Sequence, residues 1–148
     1  MQAKVLLTPF WIIAATFVGI GDTLFLAYYQ YLGITPTCAL LHGCERVLTS
    51  PYSKFMGLPL AYFGLVFYAY MLALAILVAI DPTSRGLRFG LLMYATIGLL
   101  SSIMFESIQI FLIGAICMYC AISALTTATL FGLALWHFSA TKERTIIR

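Results

Sequence analysis

The 148-residue chain is 63% hydrophobic and only 9% charged, with a mean hydropathy of +1.03. A soluble domain carries about 25% charged residues, so this chain cannot cover a water-facing surface, and a water-soluble enzyme or binding module is excluded. The net charge of +3 is too small and too scattered to hold a nucleic acid.

In chain order, the first apolar run extends from about Pro9 to Tyr29, with Asp22 as its only charge. A helix of about 20 residues crosses ~30 Å of hydrocarbon. The run outlasts the apolar core of a signal peptide and no small-residue cleavage site ends it, so it is expected to remain as a first span. Residues 30–58 form one long loop that contains Cys38, His42, Gly43, Cys44 and Ser50. The second run covers Pro59 to Ile80 and stops at the turn signal Asp81-Pro82-Thr83-Ser84. The third covers Phe89 to Ile113 and encloses Glu106, and after Gly114-Ala115 a fourth covers Ile116 to Phe138. Pro9 and Pro59 sit where prolines favour the first turn of a helix. The fold class expected is an all-α integral membrane protein, a four-helix transmembrane bundle in a single domain, 1–148.

Orientation follows from lysine and arginine placement. With both termini inside, Lys4, Arg85, Arg88, Lys142, Arg144 and Arg148 are cytoplasmic, and only Arg46 and Lys54 lie on the exposed outer loop. Six against two sets the topology. Tyr28, Tyr29, Tyr31 and Tyr52 near one face, with Trp136 near the other, fit interfacial aromatic belts. His137 and the basic tail read as a cytoplasmic contact with anionic lipid.

All four cysteines then fall on the extracytoplasmic side, where disulfides form and persist. Cys117 and Cys120 are three residues apart at the start of the fourth helix, on one face of its first turn. Unpaired N–H groups and the helix dipole there favour a thiolate, most of all at Cys117. Cys120 lies roughly 4.5 Å deeper, where a lipid-soluble oxidant meets it first. Cys38 and Cys44 enclose a short segment able to close a small disulfide, and Gly43 is expected to give that turn its freedom. Four cysteines allow three pairings, and a shuttle visits more than one of them. Two alternatives stand beside it: structural disulfides or inert thiols, and a metal site assisted by His42. With one histidine on that side and thiols prone to oxidise, no metal is expected.

Asp22 and Glu106 each lie about seven residues in from the outer end, about 10 Å deep at 1.5 Å per residue. Carboxyls within spans are functional candidates, and these two are placed to relay protons. The structural alternative bonds each to Ser, Thr or Gln109 of a neighbouring helix. Phe55, Tyr62, Phe63 and Phe111 are candidates to line an apolar pocket.

Cys38 through Cys44, then residues 46–53, Gly57-Leu58-Pro59 and Gly64, together with Cys117-Met118-Tyr119-Cys120 and Gly21-Asp22, resemble the vitamin K epoxide reductase family in its bacterial short form, over nearly the whole chain. The resemblance implies a bundle around a quinone, ubiquinone or menaquinone, with the first outer loop capping it. It implies that Cys38 exchanges with a thioredoxin-fold periplasmic protein of the DsbA kind, and that Cys44 passes electrons to Cys117 while Cys120 sits beside the quinone. Ser50 matches a family serine that orders the loop. Because the chain ends at Arg148 without a fused thioredoxin-like domain, the partner is expected to be a separate protein in a bacterial inner membrane system. Vertebrate members carry a quinone-binding asparagine and tyrosine where this chain reads Leu60-Ala61-Tyr62 and Ala121-Ile122-Ser123-Ala124, so a respiratory quinone is expected rather than vitamin K epoxide. The alternatives are a DsbB-type enzyme of different helix order and a non-enzymatic four-span protein with a stapled loop.

Overall fold

The computed structural model describes residues 2–36, 43–82 and 84–146 of the chain. Four helices are long and apolar enough to cross a membrane: Leu7–Tyr31 within α1 (Gln2–Tyr31), α3 (Leu60–Ile80), Arg85–Ile113, made of α4 (Arg85–Ile108) and a π-helical turn, and Met118–Thr141 within α5 (Met118–Ile146). This fits a multi-pass membrane protein. Between α1 and α3 lie a short helix α2 (Cys44–Leu48), a 3-10 turn (Pro51–Ser53) and a two-residue hairpin of β1 (Lys54–Phe55) and β2 (Leu58–Pro59), paired antiparallel with Phe55 opposite Leu58.

The helices form a closed ring in which α1 packs on α3 and α5, and α4 on α3 and α5. Lipid tails are as apolar as leucine, so helix association depends on close packing and small residues rather than on hydrophobic burial. The core shows this: Ala75, Ala95 and Ala134 are interleaved with Ile12, Met71, Val78, Leu91 and Leu130. Tyr68 stands at its centre, 1% exposed. Its hydroxyl donates to the Ser123 carbonyl at 2.9 Å and meets Ser123 Oγ and Thr127 Oγ1 at 2.9 and 3.0 Å. Several other hydroxyls in the spans bond to their own helix, among them Thr16 on Ile12 and Thr23 on Gly19, each at 2.7 Å.

Three expectations about the helix ends change. Pro9 is interior to α1, which begins at Gln2, and Pro59 immediately precedes α3. A transmembrane helix tolerates an interior proline because neighbouring groups take up the freed carbonyl. The third span starts at Arg85, four residues before Phe89, because Arg88 folds back on its own helix start, its Nε–H donating to the Ser84 carbonyl at 3.3 Å. The fourth starts at Met118, so Cys117 precedes it. His137 is no lipid-facing residue. It is 1% exposed, within electrostatic reach of buried Arg88, because its position on α5 faces the ring's interior while Trp136 beside it faces out.

α1 comes so near α3 that a Cβ at Gly19 would stand 2.2 Å from Cε1 of Tyr68. The ring cannot yield without breaking its bonds to α5. Gly19→Ala is therefore expected to destabilise the bundle by about 1–3 kcal/mol, read as a lower melting temperature in detergent. An unchanged value would show that Tyr68 is free to move.

Candidate functional site

At one end of the bundle the chain between the third and fourth spans is built around Gln109. This residue opens the π-helical turn Gln109–Ile113, and its carbonyl accepts the N–H of Gly114 and, at 3.2 Å, of Ala115. Gly114 holds φ +67, the left-handed geometry that stops a helix and favours glycine. The Gln109 side chain, 3% exposed, then accepts the Cys117 N–H on Oε1 at 2.8 Å. Cys117 is thereby placed just before α5, its own carbonyl taking the N–H of Ala121 at 3.0 Å.

α2 lies over this connection. Gly43 has φ −93 and ψ −10, an ordinary helical conformation open to any residue. The expectation that it supplies freedom to the turn is corrected: it is there for space. A Cβ on it would stand 2.4 Å from the Ile116 carbonyl oxygen, so only glycine lets the two backbones meet. As a result Cys44 Sγ and Cys117 Sγ are 3.4 Å apart, both sulfurs buried with Val47 above them. Cys44 is disulfide-bonded, whereas Cys117 and Cys120 are free thiols. Cys38 and His42 lie outside the described residues.

The Cys117 thiol is pulled down to about 7, chiefly by a hydrogen bond from the Cys120 thiol, with burial opposing and the N–H groups of Cys120 and Tyr119 assisting. The same first-turn donors that make helix N-termini hospitable to anions thus act on this sulfur.

Beneath the cysteines is a cavity of about 620 Å³ between the four spans. Its walls are mostly apolar, and Cys120 is on the wall while Cys117 is not. Asp22, Glu106 and Ser50 line it, as do Phe55 and Phe63, whose rings meet edge to face at 5.7 Å. Ser50 knots the loop: its Oγ donates to the Val47 carbonyl at 2.7 Å and its carbonyl accepts from both the N–H and Oγ of Ser53. Glu106 accepts from Gln109 Nε2 at 3.4 Å, a partner on its own span rather than on a neighbouring helix. Asp22 Oδ2 is buried with no hydrogen-bond partner among the described residues.

Two pocket candidates are elsewhere. The α3 lining stripe is Leu60, Ala61, Phe63, Gly64, Phe67 and Tyr68, and Tyr62 falls off that helical phase to pack beside Leu26 and Ala27. Phe111 is 81% exposed on the outside of the bundle, because the wider π turn rotates it outward. Residues not singled out from sequence also line the cavity, among them Gln30, Tyr68, Ser123 and Thr127. Their signal was polarity within apolar runs, which buried hydroxyls satisfied by their own helix also give.

A family model of the vitamin K epoxide reductase family matches residues 10–135, which include every element of this site. The chain belongs to that family. It is also 28% identical over 120 residues to the thiol-disulfide oxidoreductase LTO1 of Arabidopsis thaliana, an alignment covering 76% of this chain and 32% of that protein. The chain therefore spans about a third of that relative's length.

For this vitamin K epoxide reductase family member, Gly43→Ala is expected to separate the two sulfurs. The rate of Cys44–Cys117 crosslinking under mild oxidation should fall by at least about tenfold, since a displacement of an ångström costs up to about a hundredfold. Retained crosslinking would show that α2 can shift. The Cys117 thiolate, dominant above pH 7 and lost below it, should give a midpoint of about 7 in its reaction with a small methanethiosulfonate. Cys120→Ala removes the main donor and should move the midpoint up toward 9. At pH 7 the thiolate fraction then drops from about half to about one in a hundred. A midpoint unmoved by Cys120→Ala would assign the effect to the helix alone.

Proposed function

We propose that this protein is a membrane thiol oxidoreductase that takes electrons from a thioredoxin-fold dithiol protein and passes them to a quinone, making one disulfide per quinol. The observation that supports this best is the 3.4 Å approach of Cys44 and Cys117 immediately above a cavity whose wall includes Cys120. Three sulfurs in sequence lead from a loop at the bundle's end to an apolar chamber inside it.

A partner thiolate attacks Cys38 in the outer disulfide, and Cys44 leaves as a thiolate. Cys44 attacks Cys117 in the inner disulfide, and Cys120 leaves as a thiolate toward the cavity. The second partner thiolate attacks the first partner sulfur, forming the partner's disulfide and releasing Cys38 as a thiolate. Cys38 then attacks Cys44, re-forming the outer disulfide and expelling Cys117, so that the two electrons rest on the reduced Cys117 and Cys120. The low pKa of Cys117 makes it a good leaving group when the Cys44–Cys117 bond is resolved.

The cavity's residues fit a quinone: apolar walls for a flat ring, and the unpartnered Asp22 Oδ2 for a ring oxygen. Phe55 and Phe63 would hold its ring, and bound there it supplies acceptance of two electrons and two protons. In this reading Asp22 and Glu106, both on that wall, would hold protons for the ring oxygens, and Ser50 would keep the loop in place over it. The stretches Leu60-Ala61-Tyr62 and Ala121-Ile122-Ser123-Ala124, which line the wall through Leu60, Ala61, Ser123 and Ala124, lack the asparagine and tyrosine of vertebrate members, which favours a respiratory quinone over vitamin K epoxide. The lysine and arginine bias supports cytoplasmic termini with the site on the opposite face, and the likeness to bacterial short forms supports a bacterial inner membrane.

The test is quinone reduction by the purified chain with a reduced thioredoxin-fold donor. Wild type should turn over and Cys120→Ala should fall to background. Quinone consumption that survives the substitution would sink the mechanism.

A further inference from the structure

The Gln109 amide bonds both to the thiol relay and to a carboxyl of the cavity. Its Oε1 accepts the Cys117 N–H at 2.8 Å, and its Nε2 donates to Glu106 Oε1 at 3.4 Å. Gln109 and Glu106 line the cavity with Cys120. We propose that Gln109 is a positioning residue that holds Cys117 against Cys44 and ties that contact to the state of the Glu106 carboxyl in the chamber below.

Cys117 is 0% exposed and precedes its helix, so its N–H has no helical carbonyl to reach and no water to replace one. Without Oε1 this donor is left unsatisfied, at a cost of about 1–3 kcal/mol, and the segment 114–117 relaxes away from Gly43. An amide is suited to the place because its two ends differ. Oε1 only accepts, which the Cys117 N–H requires, and Nε2 only donates, so Glu106 must present an acceptor oxygen. A charge-assisted bond from Nε2 strengthens when Glu106 is ionised and weakens when it is neutral. Through the polarised amide, that change reaches the bond on Cys117. The π turn contributes as well, since its wider pitch lets the Gln109 carbonyl hold Gly114 and Ala115 while the side chain holds Cys117.

The inference rests on the exchange reading proposed above, and the two are separable in one set of variants. In a Cys38→Ala, Cys120→Ala background only Cys44 and Cys117 remain, and their crosslinking under diamide, scored by maleimide-PEG gel shift, needs no quinone. Gln109→Met keeps the side-chain volume and removes both hydrogen bonds, so crosslinking should slow by about tenfold. Gln109→Glu keeps an acceptor for Cys117 but sets a second carboxyl against Glu106. Its crosslinking should stay within about twofold of the parent, while its quinone turnover in the four-cysteine chain falls severalfold in kcat with KM for the dithiol donor unchanged. Melting temperatures of both variants verify folding. Wild-type crosslinking in Gln109→Met overturns the positioning role, and wild-type turnover in Gln109→Glu overturns the tie to Glu106. A parent that never crosslinks overturns the exchange reading and this inference with it.

Discussion

The arrangement of the whole site depends on one close backbone approach, that of Gly43 to Ile116. Two segments 73 positions apart must bring their cysteine sulfurs to 3.4 Å, and neither sulfur is on a rigid span. A glycine removes the Cβ that would otherwise strike the Ile116 carbonyl. From the other side, Gly114 turns the chain out of the third span and the Gln109 amide pins Cys117 as it enters the fourth. Thiol exchange needs contact between sulfurs, so these local devices precede any chemistry.

The bundle serves the same end at longer range. Small residues let the spans close into a ring, and Tyr68 locks α3 to α5 with its hydroxyl. Above that lock the ring opens into the cavity, walled by phenylalanines and carrying two carboxyls. The loop between α1 and α3 is not loose cover. Ser50 stitches the end of α2 to the following turn, which holds Cys44 over Cys117 and places Phe55 on the chamber wall. The result is a largely apolar concave volume beside the cysteine thiols, with a few polar groups on its wall, the usual make-up of a small-molecule site.

Sequence reading succeeded where the property is local. Span positions were legible to within a few residues, because apolar length is a property of the run itself, and errors were confined to ends such as Arg85, where a charge folds back on its helix. Equal depth for Asp22 and Glu106 was counted from helical rise, and both line the cavity, but which way each faces is the structure's own result. Tyr62 and Phe111 were misplaced because aromatic character says nothing of rotation about a helix axis. One residue of phase removes Tyr62 from the wall that Phe63 occupies, and a π turn, invisible in composition, swings Phe111 outward. Gln109 was weighed only as a partner for a carboxyl, since nothing in a linear pattern shows an amide reaching eight residues ahead to a buried N–H.

By itself, then, the sequence determined that the chain has four runs long and apolar enough to span a membrane, because hydrophobic length needs no knowledge of packing. The tertiary structure puts Cys44 against Cys117 and Cys120 on the cavity wall, as the family resemblance implied, and it alone decided what holds them there. Those outcomes depend on helix rotation, on the clearance between two backbones and on one side chain's reach. None of these is a property of any single segment.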